Sequence, residues 1–312
     1  MDKLNGIDMS VWQGRQDPED GELALRWHDR VLPWQGRGEP GVVLLGFACD
    51  EGVRRNKGRV GAAGAPLAVR KLLANTAWHL GQPVYDGGDV RCEDGDLDAA
   101  HERLAERVAA ALEQGQFPLV LGGGHEVAFG SWSGLNRHLG GRGRVGIINF
   151  DAHFDLRMKQ EQASSGTPFF QIAEQCVAQG SPFTYACLGV AETANTAALF
   201  ARAEALGVWH VLDEAMTPTE LPALLNGLDA FIARCEHLYL TIDLDVLPAA
   251  VMPGVSAPAA RGVELAVIEP LIAHIRASGK LRLADLAEYN PNLDQDNRSA
   301  RVAARLVHQL TK

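Results

Sequence analysis

The sequence predicts an α/β protein of one domain, a three-layer α/β/α sandwich on a mostly parallel sheet. Two observations carry this. Continuous Val/Ile/Leu runs alternate with amphipathic stretches along the chain, as expected for strands covered on both faces by crossover helices. Several of those runs also end in His, Asp or Glu, and open parallel sheets bind their ligands outside the carboxyl ends of the strands.

Residues 1–40 fit the pattern poorly and are read as a cap on a sheet edge or a lid. The apolar run 41–48 is the first strand, followed by a helix over 65–80. The clearest helix is 97–115, with Leu97, Leu104, Val108, Ala111 and Leu112 on one face at helical spacing. Strand 117–122 leads through a glycine turn into helix 126–139, and strand 144–150 follows. Strand 184–190, helix 195–206, strand 207–212 and helix 217–234 continue the alternation. Strand 237–242, helix 264–278, strand 281–287 and helix 297–310 complete it. The longest polar, turn-rich stretches, 13–21 and 90–98, are too short to be linkers, and no repeat is present, so one domain is expected over 1–312.

With 46% hydrophobic and 22% charged residues, the 312-residue chain has an ordinary globular composition and enough length for a sizeable core. Its net charge of −10 argues against nucleic-acid or anionic-membrane partners, which need basic patches. Cys49, Cys92, Cys176, Cys187 and Cys235 are scattered and odd in number, so they read as free thiols, not a disulfide framework. The start Met1-Asp-Lys-Leu-Asn-Gly6 does not resemble a signal peptide and no apolar run reaches membrane-spanning length; the expected location is the cytoplasm.

The chemistry concentrates in Asp151-Ala-His153-Phe-Asp155, just after Val145-Gly-Ile-Ile-Asn-Phe150. In an extended chain alternate side chains point the same way, so Asp151, His153 and Asp155 leave the strand end on one side. Asp243-Leu-Asp245 repeats this after strand 237–242, and His125 ends the glycine turn of 122–124. An Asp-x-Asp after a strand is usually a turn or cap, and a glycine turn alone says little. Three such sets at strand ends point instead to one shared metal site. The inventory of His125, His153, Asp151, Asp155, Asp243 and Asp245 contains no thiolate and suits harder divalent cations such as Mn²⁺. Four carboxylates are too much negative charge for one ion. Two ions about 3.5 Å apart resolve this and make a bridging hydroxide available near neutral pH.

These residues resemble the ureohydrolase family of arginases, agmatinases and their relatives. That family carries a Gly-Gly-x-His turn, an Asp-Ala-His-x-Asp motif and an Asp-x-Asp motif in this order. The likeness covers residues 40–310. It implies an arginase-like sandwich with two Mn²⁺ ions per subunit. His125, Asp151, Asp155 and Asp243 would hold one ion; His153, Asp151, Asp243 and Asp245 would hold the other. A homo-oligomer, trimer or hexamer, is also implied.

Several segments resemble most the branch of the family that cleaves N-formimino-L-glutamate to L-glutamate and formamide in histidine degradation. They are Trp12-Gln-Gly-Arg15, the stretch from Asp50 to Gly61, Asp155-Leu-Arg157, Ser164-Ser-Gly-Thr-Pro-Phe169 and the stretch from Asp245 to Pro258. The turn reads His125-Glu126 where arginases and agmatinases usually have Asp-His-Ser, and Pro248-Ala249 replaces their Asp-Pro. Ser165 stands where they usually carry a loop histidine assigned to proton transfer.

The substrate of that branch is a planar amidine with a dianionic tail. Glu288 matches the family's substrate-orienting glutamate and would hydrogen-bond the amidinium. Asp155 would relay a proton to the leaving nitrogen. Arg157 would fork onto a carboxylate. The basic run Arg54, Arg55, Lys57 and Arg59 follows strand 41–48; such runs are usually solvated loops, but here Arg54 and Arg59 are expected at the tail. Asn195 is expected to donate to the tail or to cap a helix. Gly61 and Gly166 are read as turn glycines. The alternative readings are a guanidino-acid amidinohydrolase or agmatinase-like enzyme, and a metal-binding protein without catalysis.

Overall fold

The computed structural model describes residues 7–312. Residues 1–6, on which the reading of the N-terminus rests, lie outside the described residues. Nine strands form one sheet in the order β1-β3-β2-β4-β9-β8-β5-β6-β7, and every pairing is parallel. The strands are β1 (Leu32–Pro33), β2 (Val42–Ala48), β3 (Val84–Arg91), β4 (Phe117–Gly122), β5 (Val145–Phe150), β6 (Thr184–Val190), β7 (Trp209–Leu212), β8 (His237–Asp243) and β9 (Leu281–Ala287). The helices are α1 (Glu51–Arg55), α2 (Ala65–Ala74), α3 (Leu97–Glu113), α4 (Val127–Leu139), α5 (Pro168–Gln179), α6 (Ala197–Ala205), α7 (Leu221–Ala233), α8 (Leu265–Ala277) and α9 (Arg298–Thr311).

The sheet divides the core into two layers. Val42 and Leu44 of β2 pack into one apolar cluster with α2, α7, α8 and α9. Their neighbours Val43, Leu45 and Phe47 pack into the other, with α3, α4, α5 and α6. This alternation is the period-2 geometry of a strand. It explains why the strands read as unbroken apolar runs, since both faces exclude water. Each fully buried large side chain contributes roughly 1.5–3 kcal/mol.

The predicted strands all form. The differences lie elsewhere. The expected helix 65–80 ends at Ala74, because the following chain turns to bridge Arg26 through Ala77. Helix 217–234 starts as a 3-10 turn over Pro218–Glu220 before α7. Strand β3 was not expected. Its sequence Val-Tyr-Asp-Gly-Gly-Asp-Val-Arg has turn composition, yet it pairs on both sides. Its buried Asp86 accepts from Arg70 Nη2 at 3.0 Å and from the Trp12 indole at 2.8 Å, which offsets the cost of burying a charge. The short β1 and the helices α1 and α5 were also not expected. From residue 7 to 40 the chain is largely irregular, broken by three short 3-10 turns, with β1 on the sheet edge beside β3. Among the described residues no helix is long and apolar enough to cross a membrane.

Candidate metal centre and active site

The four strands that carry the candidate residues, β4, β9, β8 and β5, are neighbours at the centre of the sheet. Their parallel order brings the turn after β4, the ends of β5 and β8, and the residue after β9 to one edge. Gly123 allows the closest approach: a Cβ there would lie 2.2 Å from the Cys49 carbonyl oxygen. The turn is then clasped to β9. Glu288 N donates to Gly123 O at 2.8 Å, and His125 N donates to Glu288 Oε1 at 2.9 Å.

His125 Nδ1 faces Asp155 Oδ2 at 2.8 Å and both Asp151 Oδ2 and Asp243 Oδ2 at 3.1 Å. Its other nitrogen, Nε2, lies 3.0 Å from the Thr241 hydroxyl. With Nε2–H donating to that hydroxyl, Nδ1 presents a lone pair to three carboxylate oxygens, an arrangement that calls for a cation between them. A second convergence joins His153 Nδ1 with Asp245 Oδ2 at 3.1 Å and Asp151 Oδ1 at 3.5 Å. Asp245 Oδ1 is buried without a hydrogen-bond partner.

Two groups of ligand atoms thus lie close enough to hold ions: His125, Asp151, Asp155 and Asp243, and Asp151, His153 and Asp245. Asp151 belongs to both. Asp243 joins only the first, its Oδ1 accepting from Asp245 N at 2.9 Å. The donor set of imidazole nitrogens and carboxylate oxygens fits a pair of divalent cations, whose charge balances the four carboxylates.

Without ions the site holds protons. Burial and then the Asp151 charge push Asp155 up to about 6. Burial and then the Asp245 charge push Asp243 up to about 8. Asp245 is also raised, chiefly by burial. Burial works against a charged His125, but hydrogen bonds to three carboxylates outweigh it and raise its pKa well above the usual range. The Asp245 charge raises that of His153. Asp151 resists burial and is lowered by its bonds to both imidazoles. Burial, and then Asp243 and Glu126, raise Glu288.

Asp155, Asp243, Asp245, His153 and Glu288 floor a cavity of about 340 Å³. Arg157, Arg59, Asn195 and Ser165 stand in its wall. Arg54 does not; it lines an adjoining outer cavity of about 790 Å³ and pairs with Glu51 through Nε at 2.7 Å. The Arg59 guanidinium donates to Val255 O at 2.8 Å and to Ser256 O at 3.0 Å. Asn195 does not cap α6: its Oδ1 accepts from Phe154 N at 3.1 Å, and its Nδ2 donates to Ala152 O and Ala191 O at 2.9 Å. It braces the loop that carries His153. Ser165 Oγ accepts from Asn56 Nδ2 at 3.2 Å. Gly166 sits where a Cβ would meet Arg157 Cδ at 2.8 Å, while Gly61 has φ of +139°.

Two supports were not anticipated. Thr241 meets His125 Nε2, and Asn149 Nδ2 donates to Asp151 Oδ2 at 2.9 Å. A signal existed: each is a polar residue inside an apolar run, two positions before a ligand, and so on the same face of its strand.

The family model of the arginase family matches residues 40–312. The formimidoylglutamase of Aeromonas hydrophila is 90% identical over the whole of both chains. That of Chromobacterium violaceum is 55% identical over 98% of each. Among solved structures, the Trypanosoma cruzi formiminoglutamase with Mn²⁺ superposes with a TM-score of 0.79 at 26% identity, covering 89% of this chain and 94% of that one.

Proposed function

Because this chain belongs to the arginase family and is a hydrolase with that family's fold and two-metal ligand set, we propose that it cleaves N-formimino-L-glutamate to L-glutamate and formamide, a step of histidine degradation. The observation that carries the chemistry is the convergence of His125 Nδ1 and three carboxylate oxygens beside Glu288. The likeness over the full chain to relatives named formimidoylglutamase supports the substrate.

His125, Asp151, Asp155 and Asp243 would hold one Mn²⁺ and His153, Asp151 and Asp245 the other, with Asp151 shared. A bound pair of such ions supplies water in its hydroxide form near neutral pH and neutralises the carboxylates. The remaining work belongs to the protein. Glu288, fixed by the His125 amide, holds the amidinium by charge-assisted hydrogen bonds and orients its carbon. Water oxygen adds to that carbon, the bond from carbon to the glutamate nitrogen breaks, and a proton must reach that nitrogen. Asp155, on the cavity floor, would take the proton that the added water oxygen gives up as formamide forms and pass it to that nitrogen; Ser165 has no group that titrates near neutrality. Arg157 forks onto a carboxylate of the tail. Arg54, Arg59 and Asn195 act at one remove, holding the loops.

The test is glutamate release by metal-stripped protein reloaded with Mn²⁺. Turnover of N-formimino-L-glutamate, without turnover of arginine, agmatine or 4-guanidinobutyrate, is the expected result. Turnover of a guanidino compound instead overturns the substrate. The same reading places the enzyme in the cytoplasm as a homo-oligomer, trimer or hexamer, which light scattering on the purified protein checks.

A further inference from the structure

Lys57 has a backbone that costs free energy. It lies just past the C-terminus of α1 with φ of 62°, a position where helices favour glycine because an L side chain crowds the carbonyl. Five non-glycine residues among those described have positive φ: Lys57, Asp155, Glu288, Asp296 and Asn297. The last two lead into α9, and Asp and Asn tolerate this region. The other three all line the cavity of about 340 Å³; Asp155 shares that tolerance, whereas Lys57 and Glu288 do not. Backbone strain persists where the surrounding structure enforces it, and it clusters at functional sites.

A second observation concerns which cations are free. Arg54 and Arg55 both pair with Glu51, and Arg55 also donates to Gly95 O. Arg59 is spent on Val255 O and Ser256 O, and Arg202 on Leu156 O. Among the described residues, the side chains of Lys57 and Arg157 have no hydrogen-bond or ion-pair partner. Both line the inner cavity and the outer one, so they stand where the two meet.

We propose that Lys57 and Arg157 form a two-cation clamp for the carboxylates of a dicarboxylate substrate tail, and that Lys57 is a specificity-determining residue. The clamp rests on the amidine-hydrolase reading above. Glu288 at the floor takes the cationic end of the substrate, and the anionic end then faces the mouth. There a guanidinium offers a rigid fork and an ammonium offers a movable point charge. A substrate with an amine tail gains nothing from either and meets two like charges.

Lys57→Gly tests this cleanly, because it removes the charge and relieves the positive φ together. Thermal stability should hold or rise. KM for N-formimino-L-glutamate should rise about tenfold, the equivalent of about 1.4 kcal/mol, with kcat nearly unchanged, and Lys57→Arg should restore most of the loss. An unchanged KM, or a fall in kcat alone, overturns the clamp. Calorimetric binding of L-glutamate to the Mn²⁺-loaded parent and variant judges it without turnover: weaker binding to the variant supports it, and equal affinities overturn it. Absence of turnover by the parent protein, with glutamate binding weakened in the variant, overturns the assigned reaction and leaves the clamp standing.

Discussion

The floor of the cavity and its rim are built by opposite means. At the floor and directly beneath it, Asp243, Asp245, Asp151 and His125 are at most 3% exposed and sit at or just past the ends of strands at the centre of the sheet, with Asp151 braced by Asn149 and His125 by Thr241. On the rim, Arg157, Lys57 and Arg59 are exposed and ride on loops. A floor residue's job follows from where its strand ends. A rim residue's job depends on whether a neighbour has already claimed its charge. Spacing identifies the first kind, and only a census of partners identifies the second.

The largest effect should come from the floor. Asp151 belongs to both ligand groups, so Asp151→Ala should lower activity by at least about 10³-fold, on the order of 4 kcal/mol of barrier. Metal analysis after gel filtration should find fewer than two ions per chain. Two retained ions would break the assignment of Asp151 as the shared ligand. Glu288→Gln should be next, with kcat lower by about 10²–10³-fold and both metals kept, because the amide oxygen can still accept from the His125 amide. Lost metal in that variant would make Glu288 a purely structural residue.

Metal affinity should depend on pH. Asp243 and Asp155 are raised to about 8 and about 6 without metal, and both imidazoles are raised as well. Ions need these groups deprotonated, so binding releases protons, and affinity should climb as pH rises from 6 to 8. Calorimetry in buffers of different ionisation enthalpy measures the release, and an affinity flat across that range would contradict the proton-loaded site. The rim should respond least. Arg157→Ala should raise KM about 10–100-fold, as expected for one charged hydrogen bond, with little change in kcat. Arg54→Ala should leave KM within about twofold, since an exposed ion pair contributes little. Steady-state kinetics on the two variants sets the claimed cation against the free one; equal effects would erase the distinction.

The same contrast explains what could be read in advance. The strands and the six metal candidates were legible because their signals are local: unbroken apolar runs, and ligands at i, i+2 and i+4. Strand β3 was hidden because Asp86, Gly87, Gly88 and Asp89 have turn composition, and Arg70 and Trp12, distant in sequence, help make Asp86 tolerable in a sheet. Helix α5 starts at the last two residues of the motif stretch Ser164–Phe169 and runs on to Gln179, through a segment for which no element was predicted. On the rim, Arg54 and Arg59 looked like substrate contacts because sequence shows charge but not its partner. Glu51, three residues from Arg54, was the available clue, since helical neighbours at that spacing pair.

The reciprocal bonds between Glu288 and the turn of His125 also constrain how such a protein can change over evolutionary time. In the proposed reaction, the side chain that would meet the substrate's reactive group is the one that secures the backbone of a candidate metal ligand. Replacing Glu288 with a side chain that cannot accept from the His125 amide would disturb the ion site in the same step, so most routes to a different head group would pass through an inactive intermediate. The rim carries no such double duty. If Lys57 and Arg157 clamp the tail as proposed, exchanging either would retune it while the floor stays intact, and drift at the mouth would be the open path to a new substrate.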